Sequence, residues 1–383
     1  MFTETELSNI AENGSKLIQS EIDDNFNTRK MRSMFLGDSL ERIAFKYLEH
    51  ETPEQDKMLK KGKRVKGCGA YLEYRIDPNR LNDPDYQRLT LAFFCGHFLC
   101  PLCQWRKSRK VSNQLTAIIS KLAGYRFIFL TLTVANVTAR ELQPAVNALS
   151  GEAWKRLVNG RRFKQSIKGY FRSFEVTHDA KQYITKEMYA RKRVYYNRHG
   201  LKIGDANPVF DTYHPHIHVL LAVEPCYFDK ANDLYISQKE WRELWQRACN
   251  LDYDPYVDVR AVYNKDSEGA AGHGKPKDIS SIGAVLEIAK YVTKSSDYLL
   301  TTDEDATDAA VYAISEALAG KRLVSLGGVF RKAHKELHLD SLDCDSDLLH
   351  VENHIKEGLD DFITYICTWR GKSGYVVDVD YDE

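Results

Sequence analysis

The stretch Tyr213 to Val223 (YHPHIHVLLAV) limits the fold more than any other part of this chain. Its aliphatic and β-branched run reads as a strand. Period two then sends His216 and His218 to one face, with Ile217, Val219 and Leu221 facing a core on the other. A strand with one apolar face needs partners. Arg126–Val134 (RFIFLTLTV), Tyr170–Thr177 (YFRSFEVT) and Pro255–Val262 supply them. Helices fall between these strands. Ser237 and Glu240 form a capping box that opens Ser237–Asn250, where Trp241, Leu244, Trp245 and Ala248 follow i, i+3, i+4, i+7. A further helix is expected from Ser281 to about Leu299. Short strands interrupted by helices predict an α+β fold, a central antiparallel sheet flanked by helices.

A chain of 383 residues suits two or three domains. No window approaches eighteen uncharged apolar residues, which excludes an ordinary membrane-spanning helix. The opening Met1-Phe2-Thr3-Glu4-Thr5-Glu6 lacks a basic signal-peptide region, so a cytoplasmic protein without a membrane partner is expected. The formal charge of +0 hides an asymmetry: residues 301–383 carry 18 acids and 8 bases, leaving the rest of the chain basic. A basic body with an acidic tail region suits a polyanionic partner. Four segments are expected. Residues 1–60 form a helical N-terminal region, and Gln55–Lys66, with six bases, reads as a basic loop. Residues 61–122 hold a cysteine cluster and a basic helix, 123–300 the strand-rich domain, and 301–383 a C-terminal region with the acidic tail.

Of eight cysteines, Cys95, Cys100 and Cys103 crowd together with Cys68 upstream. Cys226, Cys249, Cys344 and Cys367 are scattered and read as buried apolar residues. Four thiolates can close a tetrahedral Zn²⁺ site, and His97 offers itself as a substitute ligand. This defines an N-terminal zinc-binding module. A helix from Gln104 to Lys121 adjoins it and carries Arg106, Lys107, Arg109 and Lys110 in its first turns, where an external anion such as a DNA phosphate backbone would explain them.

Two neutral imidazoles on one strand face make half of a divalent-metal site. Glu175 shares a face with Ser173 and Thr177 on the neighbouring strand and is the preferred third ligand, with His178 and His214 as alternates. On the helix from Ser281, Glu287, Tyr291, Lys294 and Tyr298 fall on the side opposite an apolar stripe. Glu287 and Tyr291 are i, i+4, so a carboxylate and a phenol can approach one reacting centre, with Lys294 to neutralise an anion there.

Three elements stand in order: Phe129-Leu130-Thr131-Leu132-Thr133, then His214-Pro215-His216-Ile217-His218, then Glu287-Ile288-Ala289-Lys290-Tyr291-Val292-Thr293-Lys294. This set resembles motifs one to three of the rolling-circle replication initiators of small bacterial plasmids, within the HUH endonuclease superfamily. It is most similar to the branch with one nucleophilic tyrosine and a glutamate four residues before it. The resemblance covers roughly residues 65–335. It implies an HUH palm-like sheet within the domain of residues 123–300. His216 and His218 are then ligands of Mg²⁺ or Mn²⁺, Tyr291 is the nucleophile that nicks single-stranded or hairpin origin DNA, and Lys294 is its electrostatic helper. The 5′ end stays on the tyrosine and a 3′-OH is freed for a polymerase, with a host helicase as a further partner. Positions one helical turn from Tyr291 hold no second tyrosine, so Glu287 is assigned the activation of water for a hydrolytic terminating step.

Residues 179–212 interleave Lys181, Lys186, Arg191, Lys192, Arg193 and Arg198 with Tyr183, Tyr189, Tyr195 and Tyr196, which suits a single-strand or hairpin contact. Two other readings compete: an HUH single-strand DNA transposase, and a non-catalytic zinc-module DNA-binding regulator. Oligomeric state is not encoded in these motifs.

Overall fold

The computed structural model describes residues 4–81, 87–263, 279–280, 298–299, 303–342, 347–349, 351 and 362–380. The chain divides into two units, Met1–Asn113 with Cys344–Glu383, and Gln114–Asp343. Both mix helices with sheets that are antiparallel apart from one short parallel pairing. No helix among the described residues is long and apolar enough to cross a membrane.

The first unit opens with helices α1 (Glu4–Asn25), α2 (Asn27–Lys46) and α3 (Pro53–Gly67). The expectation of a basic loop over Gln55–Lys66 is corrected here, since that stretch is almost the whole of α3. Pro53 sits in the first turn, and the Thr52 side chain accepts from the Gln55 amide. Met58, Gly62 and Val65 form its buried side, a pattern at i, i+4, i+7 that the density of lysines obscures. Gly62 is small for a reason. A Cβ there would meet the Gly37 carbonyl oxygen at 2.9 Å, and a Cβ on Gly37 would meet the Gly62 oxygen at the same distance, so two glycines let α2 and α3 cross closely.

Strands β1 (Tyr71–Ile76) and β2 (Gln87–Ala92) follow, then α4 (Pro101–Lys121). The helix starts at Pro101, three residues before the expected Gln104, because proline suits a first helical position. Arg106 and its neighbours therefore lie beyond the first turn. β1 alternates, with Leu72, Tyr74 and Ile76 buried, and lies between β2 and a C-terminal strand, Ile363–Trp369. That strand pairs in turn with Tyr375–Asp380. Part of the acidic tail is thus sheet, with Asp378 and Asp380 on its edge strand.

The second unit is built on a six-stranded sheet. Its strands are β3 (Arg126–Thr133), β4 (Gly169–His178), β5 (Tyr213–Val223), β6 (Val257–Tyr263), β7 (Ile279–Ser280) and Val324–Gly328, in the order β7-β6-β3-β5-β4 and then Val324–Gly328. β5 lies between β3 and β4 and is buried on both faces, with Ile217, Val219 and Leu221 on one and His216, His218, Leu220 and Ala222 on the other. The capping box at Ser237 and Glu240 is present and opens the helix Gln238–Cys249. Its Trp245 is fully buried and donates from Nε1 to the Thr133 carbonyl at 2.9 Å, tying the helix to the end of β3.

Candidate metal centres and active site

Register sets the first centre. In the antiparallel ladders Glu175 of β4 lies directly opposite His216, and His218 lies between Ser173 of β4 and Thr131 of β3. Directly opposed residues share a sheet face, so Glu175, His216 and His218 converge without help from any loop. The Nε2 atoms of both histidines stand 3.2 Å from the same oxygen, Glu175 Oε2, and all three side chains are buried.

The outer nitrogens of the rings are engaged as well. His216 Nδ1 lies 3.0 Å from the His214 carbonyl and His218 Nδ1 3.1 Å from Thr131 Oγ1. Phe129 stacks on His218 with centroids 5.5 Å apart. A proton on His216 Nδ1, donated to the carbonyl, leaves the Nε2 lone pair aimed at the carboxylate. Two lone pairs and a carboxylate charge can converge this closely only around a cation, either protons on the rings or one metal ion. Burial alone raises the Glu175 carboxyl, but hydrogen bonds and charge from His216 and His218 outweigh it and hold it well below the usual range. The ligand atoms lie within 4.8 Å of one another. Metal–ligand bonds of about 2.1 Å at right angles put neighbouring ligand atoms about 3 Å apart, so a hard divalent ion with mixed nitrogen and oxygen donors fits.

Of the alternate ligands, His178 turns to the other face. Its Nε2 lies 3.0 Å from Asp211 Oδ1, and its ring stacks on Tyr213 with centroids 4.5 Å apart. His214 shares the metal face and stacks its ring on His216 with centroids 5.1 Å apart, but its ring nitrogens are not among the converging ligand atoms, and its carbonyl meets His216 Nδ1. Thr131 is a contributor that sequence reasoning passed over as part of a motif. Its signal was present, since Thr131 and Thr133 are the polar positions after Arg126 in an otherwise apolar strand.

The second centre lies in the first unit. Cys68 is the C-cap of α3, Cys95 and Cys100 follow β2, and Cys103 is in the first turn of α4. All four are buried, with Sγ separations of 3.5 Å for Cys68–Cys103 and 3.6 Å for both Cys95–Cys103 and Cys68–Cys100. Four sulfurs bound to zinc at about 2.3 Å would stand about 3.8 Å apart, close to this spacing. The amides of Cys95 and Gly96 point at Cys68 and Cys103 sulfurs, and Ser33 Oγ lies 3.2 Å from Cys100 Sγ. Burial raises the Cys100 thiol, but hydrogen bonds from the other three cysteines and Ser33 hold it well below the usual thiol range.

Lys30 of α2 is fully buried beside the cysteines and donates to the Cys68 carbonyl at 2.9 Å. Burial lowers its ammonium, while Cys68, Cys100 and Cys95 favour its charge. Four thiolates around Zn²⁺ carry two net negative charges, so a buried ammonium beside them is the expected compensation. Nothing in the sequence marked Lys30 for this. His97 is not a fourth ligand, since its Nδ1 instead accepts from the Leu99 amide at 3.2 Å and its ring stacks on Phe98.

The remaining expected residues part ways. Arg106 and Lys110 are buried and spend their donors on main-chain carbonyls, Arg106 on Leu348 and Leu349 and Lys110 on Asp347. Those two hold the chain together where a DNA-facing role was expected. Lys107 is half-buried and Arg109 exposed, with its guanidinium over the Trp105 ring at 5.8 Å. Glu287, Tyr291 and Lys294 lie outside the described residues, as does most of the expected helix that carries them. Tyr298, grouped with that polar side by periodicity, is fully buried. In residues 179–212 the basic side chains are exposed and Tyr183 and Tyr195 are open to solvent, whereas Tyr196 is buried under Tyr189.

Comparison with known proteins fits this arrangement. The family model described as "Replication protein" matches residues 86–376. A "Protein rep" of Lentilactobacillus hilgardii is 35% identical over 308 residues, covering 78% of this chain and 83% of that one. One from Bacillus amyloliquefaciens is 32% identical over 83% of this chain and 85% of its own. One from Streptococcus pneumoniae is 31% identical over 86% and 85%. No solved structure is a significant match to this chain. With most of its length matched by the family model and by relatives of similar extent, the chain belongs to the replication protein family.

Proposed function

We propose that this protein is a plasmid replication initiator that starts rolling-circle synthesis by nicking single-stranded or hairpin origin DNA. On this reading the six-stranded sheet serves as an HUH palm. The observation that carries it is the convergence of Glu175, His216 and His218 on one sheet face in a member of a replication protein family. These residues would hold Mg²⁺ or Mn²⁺, which would supply a Lewis acid to polarise a phosphate oxygen. Thr131 and the His214 carbonyl orient the two imidazoles.

Tyr291 is the proposed nucleophile. A phenol of pKa about 10 is mostly protonated at neutral pH and needs nearby positive charge, for which Lys294 is the candidate. The phenolic oxygen forms a bond to phosphorus as the bond to the 3′ oxygen breaks. The 3′-OH leaves with a proton and can prime a polymerase behind a host helicase, while the 5′ phosphate stays on the tyrosine. Glu287 then activates water for hydrolysis at termination. Cys68, Cys95, Cys100 and Cys103 would hold a structural Zn²⁺. The setting is cytoplasmic.

The test is incubation with labelled single-stranded origin DNA and Mn²⁺, followed by denaturing electrophoresis. A covalent protein–DNA band, absent in Tyr291→Phe, is expected. DNA binding without any adduct in the wild type would overturn the reading in favour of a non-catalytic regulator.

A further inference from the structure

Helix α3 changes meaning once it is seen as a helix. Lys57, Lys60, Lys61 and Arg64 then fall at i, i+3, i+4 and i+7, a single stripe about 10 Å long. All four are exposed, and none forms an ion pair among the described residues, whereas Lys66 on another side of the helix is held by Asp38 and Glu41 at 2.6 and 2.7 Å. A cavity of about 570 Å³ runs along the stripe, lined by these four cations with Glu51 and Asp56 from the N-terminal side.

The stripe is also fixed in place. One side of α3 is pressed onto α2 at the Gly37–Gly62 crossing, and its C-cap is Cys68 of the cysteine cluster. Like charges four residues apart destabilise a helix. A chain that anchors such a row at its middle and its C-terminal end has a use for it. Of the cations of α4 expected to meet DNA, Arg106 and Lys110 are turned inward, whereas all four of the α3 row are exposed. α3 precedes the residues that the family model matches.

We propose that the Lys57–Arg64 face of α3 is a contact for the phosphate backbone of double-stranded DNA. A rigid row of cations matches a rigid row of phosphates, and α3 carries no aromatic residue on which single-strand bases could stack. The inference goes beyond the nicking reading and does not depend on it.

The test uses the full-length protein without added divalent ion, a fluorescent duplex of about thirty base pairs and a single strand of the same sequence, titrated at several salt concentrations. In the variant Lys57→Ala, Lys60→Ala, Lys61→Ala, Arg64→Ala, duplex affinity should fall at least tenfold. The slope of log affinity against log salt should flatten by about 3.6, since each of the four lost phosphate contacts removes about 0.9. The charge-conserving set Lys57→Arg, Lys60→Arg, Lys61→Arg should bind like wild type, which separates lost charge from lost folding. Unchanged duplex affinity and slope in the alanine variant, or a loss confined to the single strand, would overturn the proposal. Because no cleavage is scored, failure of Tyr291 as nucleophile would leave this result untouched.

Discussion

At the cysteine cluster, four buried sulfurs stand 3.5–3.6 Å apart in the pairs that touch, with Lys30 and Ser33 packed against them. Binding energy of a structural zinc is folding energy, and in small zinc modules it reaches on the order of 10 kcal/mol. Cys103→Ser should therefore lose about one zinc per chain by elemental analysis and lower the melting temperature well beyond what a surface substitution does. Retention of zinc in that variant would exclude Cys103 as a ligand. Lys30→Met tests the compensation argument. Zinc should be held more weakly against a competing chelator, at least tenfold, because two negative charges lose their buried partner. The pairing of His216 with His218 was legible from period two alone, and Glu175 from the parity of its strand. Thr131 stands out only as a polar position in an apolar strand, and Lys30 not at all, since its role arises from which element packs against which and no local pattern carries that.

Elements show the same division between local and tertiary signals. The helix Gln238–Cys249 announces itself through a complete capping box, and Ser237→Ala should cost about 1 kcal/mol in chemical denaturation. Its Glu240 carboxylate is held below the ordinary value first by the Ser237 amide, with Arg162 adding to it. A carboxyl lowered on folding contributes stability above its unfolded pKa and loses it as pH falls through the folded value. The gap between wild type and Glu240→Ala should therefore narrow as pH drops below about 4.5 and vanish in stronger acid. α3 was misread because lysines outnumber its apolar positions and the helical period rests on Met58, Gly62 and Val65. Gly62 counts as a breaker in sequence and as a contact point in space. Gly62→Ala puts a methyl 2.7 Å from Glu41 Cγ and 2.9 Å from the Gly37 oxygen, so a loss of about 1–3 kcal/mol is expected despite alanine's better helix propensity.

On the scale of the whole molecule, the two clusters belong to different units, the four cysteines to one and Glu175, His216 and His218 to the other. The strands that complete the first unit come from the far end of the chain, a pairing that no local signal announces. The separation predicts independence: Cys103→Ser should still bind Mn²⁺, and His216→Ala should still hold zinc. Everything proposed about nicking depends on the histidine cluster being the site of the ion the reaction needs. Electron paramagnetic resonance of Mn²⁺ titrated into wild type, His216→Ala, His218→Ala and Glu175→Ala, with adduct formation scored on the same samples, measures this directly. One tightly bound Mn²⁺ in the wild type should be lost or weakened at least tenfold in each variant, with adduct formation falling in step. Full Mn²⁺ binding and undiminished adduct in the double variant His216→Ala, His218→Ala would contradict it.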